Sequence, residues 1–312
     1  MLKTLAMFPG QGSQFVGMGK ELLDLFPYSR CVFEEAEDAI KVNLRKLCFE
    51  GPESDLKLTA NTQPALLTVS NAVWLVLKKE LGFNPQAFAG HSLGEYSALV
   101  ASGKLDFAKA IYLVRKRGQA MQTAVPNGVG SMAAVMRMDA EDLSSVCSEV
   151  SEQTGKPVEL ANYNSPQQIV IAGYKESVDE VVARLKSEKK RAILLPVSAP
   201  FHSSLMKPAK EAMLPLLEEA EIVKNDSIII PNITADATAD YSAQFLADQI
   251  DGPVKWTQTL QAADNLGSST FVEIGSGSVL SGLVKRTLKD SVIINTSDIK
   301  MAIDELSKVH TF

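Results

Sequence analysis

The chain has 312 residues, 46% of them hydrophobic and 22% charged, with 19 Gly and 14 Pro, which excludes a disordered or collagenous chain. Its 31 Lys and Arg against 37 Asp and Glu leave a net charge of −6, which argues against nucleic-acid binding, since that needs clustered cations to release phosphate counterions. Cys31, Cys48 and Cys147 are odd in number and widely spaced, so reduced thiols are expected rather than a disulfide framework or a metal site.

The opening residues read as a short buried strand, Leu2 to Phe8, closed by the turn Pro9-Gly10-Gln11-Gly12. Pro9 also breaks the segment before a secretory apolar stretch can form. Leu22, Leu25, Val32, Phe33, Ala36 and Ile40 follow a helical period, and a more apolar helix covers Gln63 to Leu81. The most apolar window, Pro64 to Leu77, is broken by Thr68, Ser70 and Asn71 and is too short to span a bilayer, so a cytoplasmic protein without membrane contact is expected. A small-residue strand, Ala87-Phe88-Ala89-Gly90-His91, leads into helices from Leu93 to Ala101 and from Phe107 to about Gln122. This alternation predicts an α/β fold with a mainly parallel sheet.

At Pro126-Asn127-Gly128-Val129-Gly130 the texture changes. A strand at Ser131 to Met138, a helix capped by Asp139 and two strands joined at Asn164-Ser165-Pro166 come next. A helix bearing Val178, Val181, Val182 and Leu185 on one face and a strand at Ala192 to Val197 complete a βαββαβ, ferredoxin-like plan. The expected division is a large domain from residues 1–127 and 198–312 with a small domain, 128–197, inserted in it. Downstream, helices at Ser204 to Ala220, Tyr241 to Ile250 and Lys255 to Ala263 alternate with strands at Ser227 to Ile230 and Thr270 to Ile274, before a turn at Gly275-Ser276-Gly277.

Gly90-His91-Ser92-Leu93-Gly94 is the one G-x-S-x-G match. Between an apolar strand and a helix this pattern predicts a sharp turn that needs both glycines for clearance and lifts the serine hydroxyl above a helix N-terminus. The free N–H groups and dipole there favour a developing oxyanion. Ser92-x-x-Glu95 also reads as a capping box for the same helix. A nucleophilic serine needs a base, and there are three histidines. His91 is expected on the opposite face of the strand from Ser92, and His310 falls in a terminal stretch expected to fray. His202, in Pro200-Phe201-His202, is left as the base, with no obvious acid beside it; a backbone carbonyl can fix the tautomer as well. Gly10-Gln11-Gly12 lacks the third glycine of a dinucleotide loop and could instead supply an oxyanion-hole N–H. Arg115-Lys116-Arg117 lies late in a helix read as ending near Gly118, so dipole complementation is the default and at most one of the three can face Ser92 as a carboxylate clamp.

With these segments in hand, the chain resembles the malonyl-CoA:acyl carrier protein transacylases of dissociated (type II) fatty acid synthesis. The resemblance runs end to end and includes Thr62-Gln63-Pro64-Ala65-Leu66, Arg117-Gly118-Gln119, Asn162-Tyr163-Asn164-Ser165-Pro166, Gln249 and Val254-Lys255-Trp256. It implies a hydrolase-like α/β domain carrying a ferredoxin-like insert. It implies Ser92 as the acylated nucleophile, His202 as its base, and the Gln11 and Leu93 backbone N–H groups as oxyanion hole. Arg117 would grip the malonyl carboxylate, Gln63 and Asn162 line the site, Phe201 contribute to selectivity, and the Gln249 carbonyl orient the histidine. The implied partners are malonyl-CoA and acyl carrier protein, met by a monomer with no cofactor and no metal. Lys189, Lys190, Arg191, Lys285 and Arg286 are candidates for docking the acidic carrier. The alternatives are a general serine esterase or thioesterase, a non-catalytic carrier-binding module, and malonyl supply to a polyketide pathway.

Overall fold

A computed structural model describes residues 2–197 and 199–309. Ser198, where the large-domain pattern was expected to resume, and His310, in the stretch expected to fray, lie outside the described residues.

The chain starts with β1 (Leu2–Phe8), then winds through α1 (Lys20–Leu25), α2 (Arg30–Ile40), α3 (Leu44–Glu50) and α4 (Glu53–Leu56) into the long α5 (Thr59–Leu81). β2 (Pro85–Gly90), α6 (Gly94–Ala101) and α7 (Phe107–Thr123) follow. The βαββαβ segment comprises β3 (Gly130–Met136), α8 (Ala140–Thr154), β4 (Val158–Ser165), β5 (Gln168–Tyr174), α9 (Lys175–Ser187) and β6 (Arg191–Leu194). The chain continues through α10 (Lys207–Glu218), β7 (Ile228–Ile229), α11 (Ala243–Asp251) and α12 (Trp256–Asn265). It closes with β8 (Thr270–Glu273), α13 (Val279–Thr287), β9 (Val292–Asn295) and α14 (Ile299–Val309).

Two sheets result. The first, in the order β7-β2-β1-β8-β9, is parallel throughout; the second, β4-β5-β3-β6, is antiparallel throughout and has the ferredoxin-like order. Each face of the parallel sheet is covered. Ala6, Phe8 and Phe88 face α5 and α7, while Leu5, Met7, Ala87 and Ala89 face Trp256, Leu260 and Val284, as strand alternation requires. α5 lies at the centre with most of its residues buried, so it shows little amphipathic contrast. In the antiparallel sheet, Ala133, Val135 and Ile171 pack under α8 and α9, and Met132, Ala134, Val170 and Ala172 join the core of the parallel unit.

α7 ends at Thr123, one residue past the expected Gln122 and five past Gly118, where the reading of its cations places the helix end. Other bounds differ from expectation: the 204–220 helix opens as a 3₁₀ turn, and only Ile228 and Ile229 pair in β7. α13, β9 and α14 were not foreseen. β9 is a four-residue edge strand with exposed Val292, too short for a clear period.

Candidate active site

β1 and β2 run abreast, with Phe8 opposite Gly90, so the loops leaving their carboxyl ends emerge side by side. The elbow is tight. A Cβ at Gly90 would lie 1.9 Å from the Gly94 carbonyl, and one at Gly94 would lie 2.0 Å from Phe8 O, so no larger residue fits at either position. Ser92 sits between them at φ 52°, a left-handed conformation that a non-glycine residue adopts only under support. Asn232, fully buried, supplies it: its Oδ1 accepts the Ser92 N–H at 2.7 Å and its Nδ2 donates to Gly90 O at 2.6 Å.

His202 arrives from the segment between β6 and α10, also at positive φ, 59°. Its Nε2 lies 2.7 Å from Ser92 Oγ. Its Nδ1 lies 2.8 Å from Gln249 O and 3.2 Å from Gly252 O. Carbonyl oxygens only accept, so Nδ1 carries the proton and Nε2 is the acceptor facing the serine hydroxyl. Burial, then the nearby Arg117 charge, push His202 down to about 3, which keeps the imidazole neutral.

Arg117 projects from the middle of α7 and is 1% exposed. Nη1 donates to Gln63 Oε1 at 2.9 Å; Nη2 donates to Gln249 Oε1 at 2.8 Å and to Ser92 Oγ at 3.1 Å. Burial lowers its pKa, opposed by Tyr96 and Glu95, and a guanidinium nevertheless stays charged. Among the described residues its Nε has no acceptor. The guanidinium is thus held beside the nucleophile with donor capacity to spare.

A cleft of about 170 Å³ opens over this group. Gln11, Gln63, Leu93, Asn162, Phe201 and Met132 line it together with Ser92, Arg117 and His202. Among the described residues neither the Gln11 nor the Leu93 backbone N–H has an intramolecular acceptor. Every site residue named from the sequence therefore meets at one place. Lys189, Lys190, Arg191, Lys285 and Arg286 are all exposed, with Lys190 paired to Glu188 at 2.9 Å.

Three expectations are corrected. Glu95 does not close a capping box, because its carboxylate accepts from Tyr241 Oη, Gln249 Nε2 and the Asn232 N–H, and the Ser92 N–H goes to Asn232 instead. His91 lies beyond the end of β2, so strand alternation does not place it; its Nε2 is 2.8 Å from Asn164 Oδ1, its ring packs on Trp256, and it lines the cleft. Arg117 is not a C-terminal dipole partner, since α7 continues to Thr123. The sequence reading also missed Asn232, Tyr241 and the Gln249 side chain. Nothing in their local pattern marks them, since each acts across more than 130 residues of chain.

Among the described residues no group of three or more His, Cys, Asp or Glu could hold a metal ion, and no helix is long and apolar enough to cross a membrane. The profile of the acyl transferase domain matches residues 7–304. The malonyl CoA-acyl carrier protein transacylase of Bacillus subtilis is 47% identical, over 99% of this chain and 98% of its own length. FabD from Acinetobacter baumannii superposes with a TM-score of 0.94 at 42% identity, covering 98% of both chains. A malonyl-transacylase solved in complex with its holo type II PKS acyl-carrier protein gives 0.93 at 40% identity, over 98% of this chain and 99% of that one. The chain belongs to the acyl transferase family, and within it to the malonyl CoA-acyl carrier protein transacylases.

Proposed function

We propose that the chain moves a malonyl group from malonyl-CoA to the phosphopantetheine thiol of acyl carrier protein, for fatty acid synthesis, through a malonyl ester on Ser92. The observation that carries this is Ser92 Oγ lying 2.7 Å from His202 Nε2 and 3.1 Å from Arg117 Nη2 in one buried site.

Ser92 Oγ attacks the thioester carbonyl carbon while His202 Nε2 takes its proton. The Gln11 and Leu93 N–H groups receive the oxyanion; a preorganised donor of this kind contributes about 3–4 kcal/mol. The carbon–sulfur bond breaks and His202 returns the proton to the leaving CoA sulfur. The carrier thiol then repeats the steps in reverse, giving its proton to His202 and releasing Ser92. The Gln249 carbonyl keeps the imidazole in the tautomer that both halves need. Thioester and ester differ little in free energy, so the demand on the site is selectivity. Arg117 meets it: a malonyl carboxylate pairs with the guanidinium, while an acetyl group leaves a desolvated charge without a partner. Gln63 holds Arg117, and Asn162 and Phe201 wall the cleft against other acyl groups.

The division into a large domain, 1–127 with 198–312, and an inserted 128–197 belongs to the same proposal, supported by the separate antiparallel sheet. So do a monomeric state and a cytoplasmic location, in keeping with three free cysteines. The likeness to a transacylase complexed with a type II PKS carrier favours polyketide supply as a second reading. The test is transfer of malonyl from malonyl-CoA to purified holo carrier proteins of each kind. Transfer to the fatty acid carrier, with little release of free malonate, is expected; dominant hydrolysis would favour an esterase, and transfer only to the polyketide carrier would favour the second reading.

A further inference from the structure

Glu95 has no task in the mechanism above, yet it is fully buried in the first turn of α6, next to the elbow. It accepts three hydrogen bonds, from Tyr241 Oη at 2.5 Å, Gln249 Nε2 at 2.6 Å and the Asn232 N–H at 3.1 Å. A carboxylate only accepts, whereas a carboxamide has a donor end and an acceptor end of nearly the same shape. Glu95 therefore holds the Gln249 amide by its donor end, in the same direction that Ser92 O and the Arg117 guanidinium require, and is the one charged acceptor among these three partners. Nε2 turns to Glu95 and to Ser92 O, and Oε1 turns to Arg117 Nη2. The reversed amide would set donor against donor at the guanidinium. Arg117 touches no carboxylate among the described residues; its counter-charge is Glu95, one amide away.

We infer that Glu95 is a positioning residue for malonyl selection: through the Gln249 amide it holds the Arg117 guanidinium in the pose that receives the substrate's free carboxylate. This rests on Arg117 being the carboxylate clamp proposed above. The lock needs Glu95 ionised. Burial pushes its carboxyl up to about 7, against the donors and the Arg117 charge that pull it down. The charged or titratable groups acting on it are Arg117 on α7, Tyr241 ahead of α11 and Tyr96 beside it on α6; among the described residues, α5, β1 and β2 present none. Above about pH 7 the carboxylate is charged and the amide is fixed. As pH falls through that value Glu95 takes up a proton, the bond from Gln249 Nε2 loses its charged acceptor, and Arg117 loses its counter-charge, so the amide and the guanidinium are held less firmly. His202 stays neutral down to about 3, and the malonyl carboxylate stays charged.

The test compares single-turnover acyl uptake from malonyl-CoA and from acetyl-CoA across pH, for the full chain and for Glu95→Gln. The ratio of the two rates cancels losses common to both donors, so a purely structural role for Glu95 leaves it unmoved. The wild-type ratio is expected to fall roughly tenfold between about pH 8.5 and about pH 5.5, the scale of one hydrogen bond to a charged group. Glu95→Gln is expected to give a low ratio that does not vary with pH. The wild-type series decides alone if that variant fails to fold. A wild-type preference that is independent of pH overturns the role of Glu95. So does a Glu95→Gln protein that keeps the wild-type ratio and its pH dependence while Arg117→Ala loses preference, and in that case the clamp stands. A wild type with no malonyl preference at any pH removes the clamp and the role of Glu95 together.

Discussion

Ser92 and His202 both sit at positive φ, 52° and 59°; the Asn232 amide holds the Ser92 backbone and the Gln249 carbonyl holds the His202 ring, with no third acid at either among the described residues. A carbonyl partner fixes the tautomer without adding negative charge; burial and the Arg117 charge outweigh the opposing pull of the Gln249 and Gly252 carbonyls, and the imidazole remains neutral. Two consequences follow at this scale. Acetyl uptake is expected to show no acid limb near pH 6.5, where an ordinary histidine titrates; a limb there would mean that His202 is solvated. The folded pKa is depressed, so the unfolded chain binds the extra proton between about 6.5 and about 3. The contribution of His202 to stability is then present above that window and lost as pH falls through it. Urea midpoints should drop more steeply below about pH 6 in the wild type than in His202→Ala. Arg117→Ala should lose malonyl uptake by more than it loses acetyl uptake; equal losses would count against the clamp. Scarcity of histidine made the base legible in the sequence. The S-x-x-E spacing of Ser92 and Glu95 misled, because the long-range partners of Glu95 outcompete a local cap.

At the scale of elements, close backbone approach decides where the site residues go. A Cβ at Gly118 would come within 2.7 Å of Ala60 Cα and Thr59 O, so α7 and α5 touch at that point, one residue beyond Arg117. Gly118→Ala is expected to push the helices apart, cost about 1–3 kcal/mol in chemical denaturation, and reduce malonyl preference by displacing the guanidinium. Unchanged selectivity would show that the helix contact does not set the pose of Arg117. The sequence marked α7 but ended the reading of its cations at Gly118, because glycine commonly follows a helix end; here it serves packing instead. The G-x-S-x-G elbow was legible because its glycines answer to a local constraint, as the 1.9 and 2.0 Å approaches bear out. β9 and the helices around it were not, since short edge elements carry too few residues for a period to emerge.

Across the whole molecule, the antiparallel sheet is bound into the parallel unit. Met132, Ala134, Val170 and Ala172 share the large core, and Val254 bonds to β4 at two points, accepting from the Tyr163 N–H and donating to Ala161 O, each at 2.9 Å. The insert also brings Asn162 and Asn164 to the cleft. Its βαββαβ order was readable from the alternation of elements; its docking face was not, because both faces of its strands are apolar. Thermal unfolding is therefore expected to occur in one transition seen alike by far-ultraviolet circular dichroism and by Trp74 and Trp256 fluorescence, and two separated transitions would show independent units. The most direct measurement is the intact mass of the protein after brief exposure to malonyl-CoA without carrier protein. A gain of one malonyl group is expected, absent in Ser92→Ala and much reduced with acetyl-CoA. An unmodified wild type, or an adduct that persists in Ser92→Ala, would contradict the serine-centred mechanism.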